Sequence, residues 1–168
     1  MPQTNALWSA QAHMPTVLSN PQTVIVKGDG AYITTADGDR LLDAAGGLWY
    51  ANIGHGRDEI AQAAAEQIRT LETWHIFGRY VNEPALELAN KIATLAPFDD
   101  AKVIFTSGGS DSVDLALKLA RRHQQLQGQP EKLTVVSRQD GYHGLHAYGT
   151  SVAGLSFNSD GFGPGTLI

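Results

Sequence analysis

Two short stretches of the chain carry residue types suited to holding a small charged ligand. The first is Thr106-Ser107-Gly108-Gly109-Ser110, between an apolar run at 102–106 and a helical pattern at 111–126. Where a strand turns into a helix, the first main-chain N–H groups lack partners and the helix dipole is positive. Glycine there lets an anion reach the main chain. The Ser107 and Ser110 hydroxyls add donors. This chemistry suits a phosphate, and the dipole alone contributes about 0.3–1 kcal/mol. An ordinary strand-to-helix turn uses the same residues, with glycine for tightness and serine for capping, so the spacing leaves both readings open.

The second stretch, Gly141-Tyr142-His143-Gly144, follows another apolar run at 133–137. It falls at the same rim of an open α/β sheet, where ligands bind. Tyr142 offers a flat face for stacking on an aromatic ring. Taken singly, Tyr142 also fits surface packing, and His143 a structural hydrogen bond. Together, a phosphate cradle and an aromatic platform suit a phosphorylated heteroaromatic cofactor.

Other chemistries find less support. No Gly-Lys-Ser/Thr follows the turn and Lys118 comes too late, so a triphosphate loop is disfavoured. Gly28-Asp29-Gly30 fails the dinucleotide pattern, because Ile33 stands where the third glycine belongs and a hairpin follows. His143, His146 and Asp140 could be drawn as a metal site, but no regular element places a third ligand. The absence of cysteine excludes disulfides, thiolate metal sites and cysteine nucleophiles.

The elements that must position these residues follow from pattern. Residues 1–22, punctuated by Pro2, Pro15 and Pro21, read as an irregular arm. The β-branched run 23–27, the turn Gly28-Asp29-Gly30, a second strand at 31–35, the turn Asp37-Gly38 and a third strand at 40–43 predict a small antiparallel meander. With the glycine-rich segment that follows, it makes a small-domain unit over 23–57, and residues 58–168 begin a large α/β domain. An amphipathic helix follows Asp58, a possible cap, with Ile60, Ala64, Ile68 and Leu71 on one face. A second begins near Asn82, carries Pro84 in its first turn and stops at Pro97. The runs 102–106 and 133–137 do not alternate, as strands buried on both faces would not; with the helix between them they predict a parallel pair. From Gly149 onward the chain shows little periodicity and no terminal helix. The sheet is incomplete, which reads as an interrupted domain.

At this point FTSGGSDSVDLALKLAR, then DGYHG, preceded by LLDAAGGLWYANIGHGRDEI and HIFGRYVNEPALELA, resembles the class III pyridoxal-phosphate-dependent aminotransferases. The Gly-Leu-Trp and Tyr-His-Gly elements look most like the omega-amine or omega-amino-acid:pyruvate branch. The resemblance runs from about residue 20 to about residue 155 with order and spacing kept. It implies an incomplete fold-type I transferase in the α/β class: the meander plus the start of a parallel-sheet large domain. The implied cofactor is pyridoxal 5'-phosphate (PLP). The implied reaction moves an amino group from an amine or omega-amino acid to a 2-oxo acid such as pyruvate.

By the same resemblance, Gly109 and Ser110 hold the cofactor phosphate within the turn that Ser107 and Gly108 open. Tyr142 stacks on the pyridine ring, and His143 and Gly144 shape that loop. Trp49 lines the substrate pocket, and Phe77 does so across a dimer interface. The family's turn is Asn-Ser-Gly-Ser/Thr-Glu-Ala; here Gly108 replaces the middle Ser, Asp111 the Glu and Ser112 the Ala, which removes one hydroxyl donor.

Transamination needs a lysine that bonds to the cofactor and shuttles a proton. The chain offers Lys27, Lys91, Lys102, Lys118 and Lys132, and each falls in the meander, within a helix or at the wrong end of the sheet. No aspartate stands clear to pair with the pyridinium nitrogen either. The family carries both in its later part, so the sequence reads as an amino-terminal portion that is inactive alone. A non-catalytic PLP- or partner-binding module of the same ancestry is the alternative, and a nucleotide-binding α/β protein a more distant one.

A net charge of -5 with scattered basic residues leaves no footprint for nucleic acid or an anionic membrane. The first fifteen residues lack a basic and an apolar region, so they are not a secretory signal, and no apolar run approaches a membrane span. The expectation is a cytoplasmic protein, a homodimer when complete, whose partners are small amines and 2-oxo acids.

Overall fold

A computed structural model describes residues 6–10 and 12–161. The start of the expected arm and the end of the glycine-rich tail lie outside the described residues. The chain divides into two compact units, residues 1–82 and 83–168.

In the first unit the arm is not wholly irregular, because Met14–Ser19 forms a short helix, α1. Pro15 favours it, since its fixed φ suits a first turn. The Asn20 side chain closes the far end by donating to the Thr16 carbonyl at 2.7 Å. The meander forms as expected from β1 (Ile25–Asp29), β2 (Tyr32–Thr35) and β3 (Arg40–Leu42), all antiparallel in the order β1-β2-β3. Asp29 faces Tyr32 across the first hairpin, and Thr34 faces Arg40 across the second. Gly38, at φ +93, supplies the left-handed turn that the Asp-Gly pair predicts. The Arg40 guanidinium lies 3.5 Å from the centroid of the Tyr32 ring and pins β3 to β2.

A kinked turn of helix, α2 (Gly46–Trp49), follows the meander, and then α3 (Asp58–Thr70). Asp58 is the first residue inside α3, not its cap; Arg57 holds that position without a side-chain cap bond. The Arg57 guanidinium instead binds Glu59 and the Ile53 carbonyl, tying the helix start to the loop before it.

The second unit holds α4 (Glu83–Ala93), α5 (Gly109–Leu126), α6 (Ala147–Val152) and α7 (Ser156–Ser159). The last two were not legible in the glycine-rich tail, where no apolar period marks them. The expected parallel pair at 102–106 and 133–137 is absent, since neither segment carries regular structure. Ile104 is 60% and Val136 91% exposed, so these runs are not buried on both faces. A parallel strand is held by neighbours on both edges and helices on both faces, and one crossover supplies neither. The described residues bury a single apolar side chain, Val152, so the apolar stripes of α3 and α4 face outward. Among the described residues no helix is long and apolar enough to cross a membrane.

Candidate functional site

Helix α5 starts at the serine–glycine turn. Its first intrahelical bond runs from the Ser112 N–H to the Gly108 carbonyl at 3.1 Å. The N–H groups of Gly109, Ser110 and Asp111 precede that bond and have no intrahelical acceptor. Gly108, at the cap position, contributes no side-chain cap. A Cβ built on Gly109 would meet no atom within 4 Å, so the main chain here faces open space. The Ser107 hydroxyl does not point to a ligand; it donates to Asp111 Oδ2 at 2.6 Å. Thr106 and Ser112 pair through their hydroxyls and brace the turn from behind.

The second stretch docks directly on the first. The Leu145 N–H donates to Ser110 Oγ at 3.1 Å, a bond that leaves the Ser110 hydroxyl proton to be donated elsewhere. Gly144, at φ +103, lies so close that an added Cβ would come 2.8 Å from Ser110 Cα. His146 Nδ1 lies 3.3 Å from Asp111 Oδ1, and the Gly149 N–H donates to Asp114 Oδ1 at 2.8 Å. Tyr142 is 55% exposed, leaving its ring accessible. His143 Nε2 is buried without a hydrogen-bond partner among the described residues.

Seven of the nine expected site residues therefore lie within this one assembly: Ser107, Gly108, Gly109, Ser110, Tyr142, His143 and Gly144. Trp49 and Phe77 belong to the first unit. Trp49, 83% exposed, has φ +71, a left-handed conformation uncommon outside glycine. It lines an open cleft of about 550 Å3 with Gly30, Asp43, Gly46, Asn52 and His55. Phe77 is exposed in the segment after α3, beside His75.

Sequence reasoning missed what holds the Trp49 segment. Asp43 Oδ2 accepts from His55 Nε2 at 2.8 Å and from the Gly47 N–H at 2.8 Å. The hydrogen bond from His55 is the main reason the Asp43 carboxyl lies below its ordinary range; burial opposes it and the Gly47 N–H assists. The imidazole packs over Gly28, where a Cβ would come 2.6 Å from the ring. The glycines on both sides of His55 were the only signal in the sequence.

The residues of the second unit fit the phosphate and ring of PLP. Open space at Gly109, unpaired helix N–H groups, an available Ser110 proton and an accessible Tyr142 ring are what those groups require. The Asp111 carboxylate opposes an anion, though Ser107 and His146 both engage it. The residues do not supply the covalent anchor. Lys27 lies in β1, Lys91 in α4 and Lys118 in α5, about 13 Å along the axis from Gly109 at 1.5 Å per residue. Lys132 donates to Gln129 Oε1 at 3.2 Å, and Lys102 lies in the irregular chain before the turn.

The family described as aminotransferase class-III matches residues 14–166. The putrescine–pyruvate aminotransferase of Pseudomonas aeruginosa is 40% identical over 132 residues, covering 79% of this chain and 29% of that protein. The beta-alanine–pyruvate aminotransferase of the same organism is 39% identical over 140 residues, covering 83% and 31%. The crystal structure of an amine transaminase from an uncultivated Pseudomonas species, in its PLP-bound form, superposes with a TM-score of 0.92. That structure is 36% identical and is matched over 98% of this chain and 37% of its own. The chain thus spans about a third of the length of the proteins it matches.

Proposed function

Because this chain belongs to the class-III aminotransferases, a PLP-dependent family, we propose that it forms the phosphate- and ring-binding half of a PLP site in such an enzyme. The complete protein would move an amino group from an amine or omega-amino acid to a 2-oxo acid such as pyruvate. The observation that carries this reading is the bond from the Leu145 N–H to Ser110 Oγ. It joins the aromatic loop to the anion turn, so that one ligand can engage both.

Within that site the N–H groups of Gly109 and Ser110 and the Ser110 hydroxyl bind the phosphate, and Tyr142 stacks on the ring. Bound PLP supplies the electron sink that amino transfer requires. His143 and Gly144 set the loop's course. By the family resemblance, Trp49 lines the substrate pocket of the complete enzyme, and Phe77 does so across a dimer interface. A homodimer in the cytoplasm belongs to the same reading.

Alone, the chain binds PLP reversibly and does not transaminate, because none of its lysines stands at the turn. Borohydride reduction in the presence of PLP, followed by intact-mass measurement, tests this. Unmodified protein together with saturable quenching of tryptophan emission is expected; a stoichiometric adduct on a single lysine would overturn it. The lysine placement also favours a non-catalytic module of the same ancestry. That alternative predicts that the complete gene product, too, binds PLP without turnover.

A further inference from the structure

Helix α6 begins without a cap of its own. His146 holds the cap position and makes no side-chain bond to the helix. A capping side chain ordinarily accepts from the second or third N–H of a helix. Here the third, that of Gly149, donates to Asp114 Oδ1 on α5, so the cap is supplied by another element. Ser110, Asp114 and Arg121 are spaced by four and seven residues, which places them on one face of α5. Each meets the 145–149 segment: Ser110 at the Leu145 N–H, Asp114 at Gly149, and Arg121 with its guanidinium 5.2 Å from the centre of the Tyr148 ring.

Both ends of α6 are tied to the loop that carries Tyr142. At the start, Gly149 is buried against that loop, and an added Cβ would come 2.3 Å from the His143 carbonyl oxygen. Just past the end, the Gly154 N–H donates to the Gly141 carbonyl at 3.0 Å, and the Asp140 N–H donates to the Gly154 carbonyl at 3.2 Å. The loop is therefore tied to α6, and Asp114 joins the first turn of α6 to α5 through the Gly149 N–H, alongside the contacts that Ser110, Asp111 and Arg121 make.

We propose that Asp114 is a positioning residue for the cofactor site: by capping α6 from α5 it holds Tyr142 in register with the phosphate turn. This rests on the reading that the turn and Tyr142 share one ligand. It gives Asp114 a role through α6 and not through contact with the ligand.

The test compares Asp114→Ala with Asp114→Asn, which keeps an acceptor oxygen, in the full chain. Amide hydrogen exchange is measured at Gly149 and Leu145, and PLP and inorganic phosphate are titrated separately. In Asp114→Ala, exchange is expected to quicken about tenfold at both amides, and PLP binding to weaken several-fold while phosphate binding holds. Asp114→Asn should recover most of both effects. Unchanged exchange at Leu145, equal weakening of PLP and phosphate, or an Asn variant no better than Ala would overturn the proposal. Should the unsubstituted chain bind neither PLP nor phosphate, the shared-site reading falls and this role with it. Exchange would still show whether Asp114 fixes the loop.

Discussion

Ser110 Oγ accepts the main-chain N–H of Leu145 at 3.1 Å, joining two segments 35 positions apart. One hydroxyl thereby anchors the loop through its oxygen and keeps its proton for an anion. Ser110→Ala removes both functions, and PLP binding should fall about 10- to 100-fold, the worth of a hydrogen bond to a charged group. Ser110→Thr keeps the hydroxyl and should lose less. Fluorescence titration of the two variants checks this.

Gly144 and Gly109 should respond unequally to the same change. Gly144 has φ +103, and its Cβ would come 2.8 Å from Ser110 Cα, main chain that cannot move aside cheaply. Gly144→Ala should cost about 1–3 kcal/mol, read as a lower urea midpoint. Gly109 has open space around it, so Gly109→Ala should leave stability within about 0.5 kcal/mol.

The meander was legible because its turns are written in local chemistry: Gly30 and Asp37-Gly38 close hairpins whatever surrounds them. The amphipathic helices α3 and α4 were legible from apolar spacing, although their stripes lie exposed. The serine–glycine turn that opens α5 and the Tyr142 loop were also legible, as two separate segments. What joins them was not, because hydrogen bonds from Leu145 to Ser110 and from Gly149 to Asp114 leave no periodic trace. The runs 102–106 and 133–137 failed as strands for a related reason. Their residue types suit a buried sheet, but the ladder bonds must come from neighbouring strands.

The Asp43–His55 contact gives the first unit an acid-sensitive joint. The His55 hydrogen bond holds the Asp43 carboxyl below its reference value of 3.8 in the folded chain. A carboxyl lowered on folding stabilises above its unfolded value, and that contribution is lost as pH falls through the folded value. Stability should therefore drop on acidification below about pH 4, and less so in Asp43→Asn. Urea unfolding of both chains across the acid range reads the difference directly.

Trp49 sits at φ +71 and is largely exposed, so it holds a strained conformation with little packing to offset it. The left-handed region costs a non-glycine residue about 1–2 kcal/mol. Trp49→Gly should therefore leave stability unchanged or raise it by up to about 1 kcal/mol. Thermal unfolding of this chain checks this.

The proposed site joins the turn at Ser107–Ser110 and the loop at Tyr142 around one phosphorylated aromatic ring. Calorimetric titration of this chain with PLP and with pyridoxal, which lacks the phosphate, tests it most directly. Saturable binding of PLP is expected, with binding of pyridoxal at least about tenfold weaker. Equal binding of the two, or no binding of PLP, would contradict it.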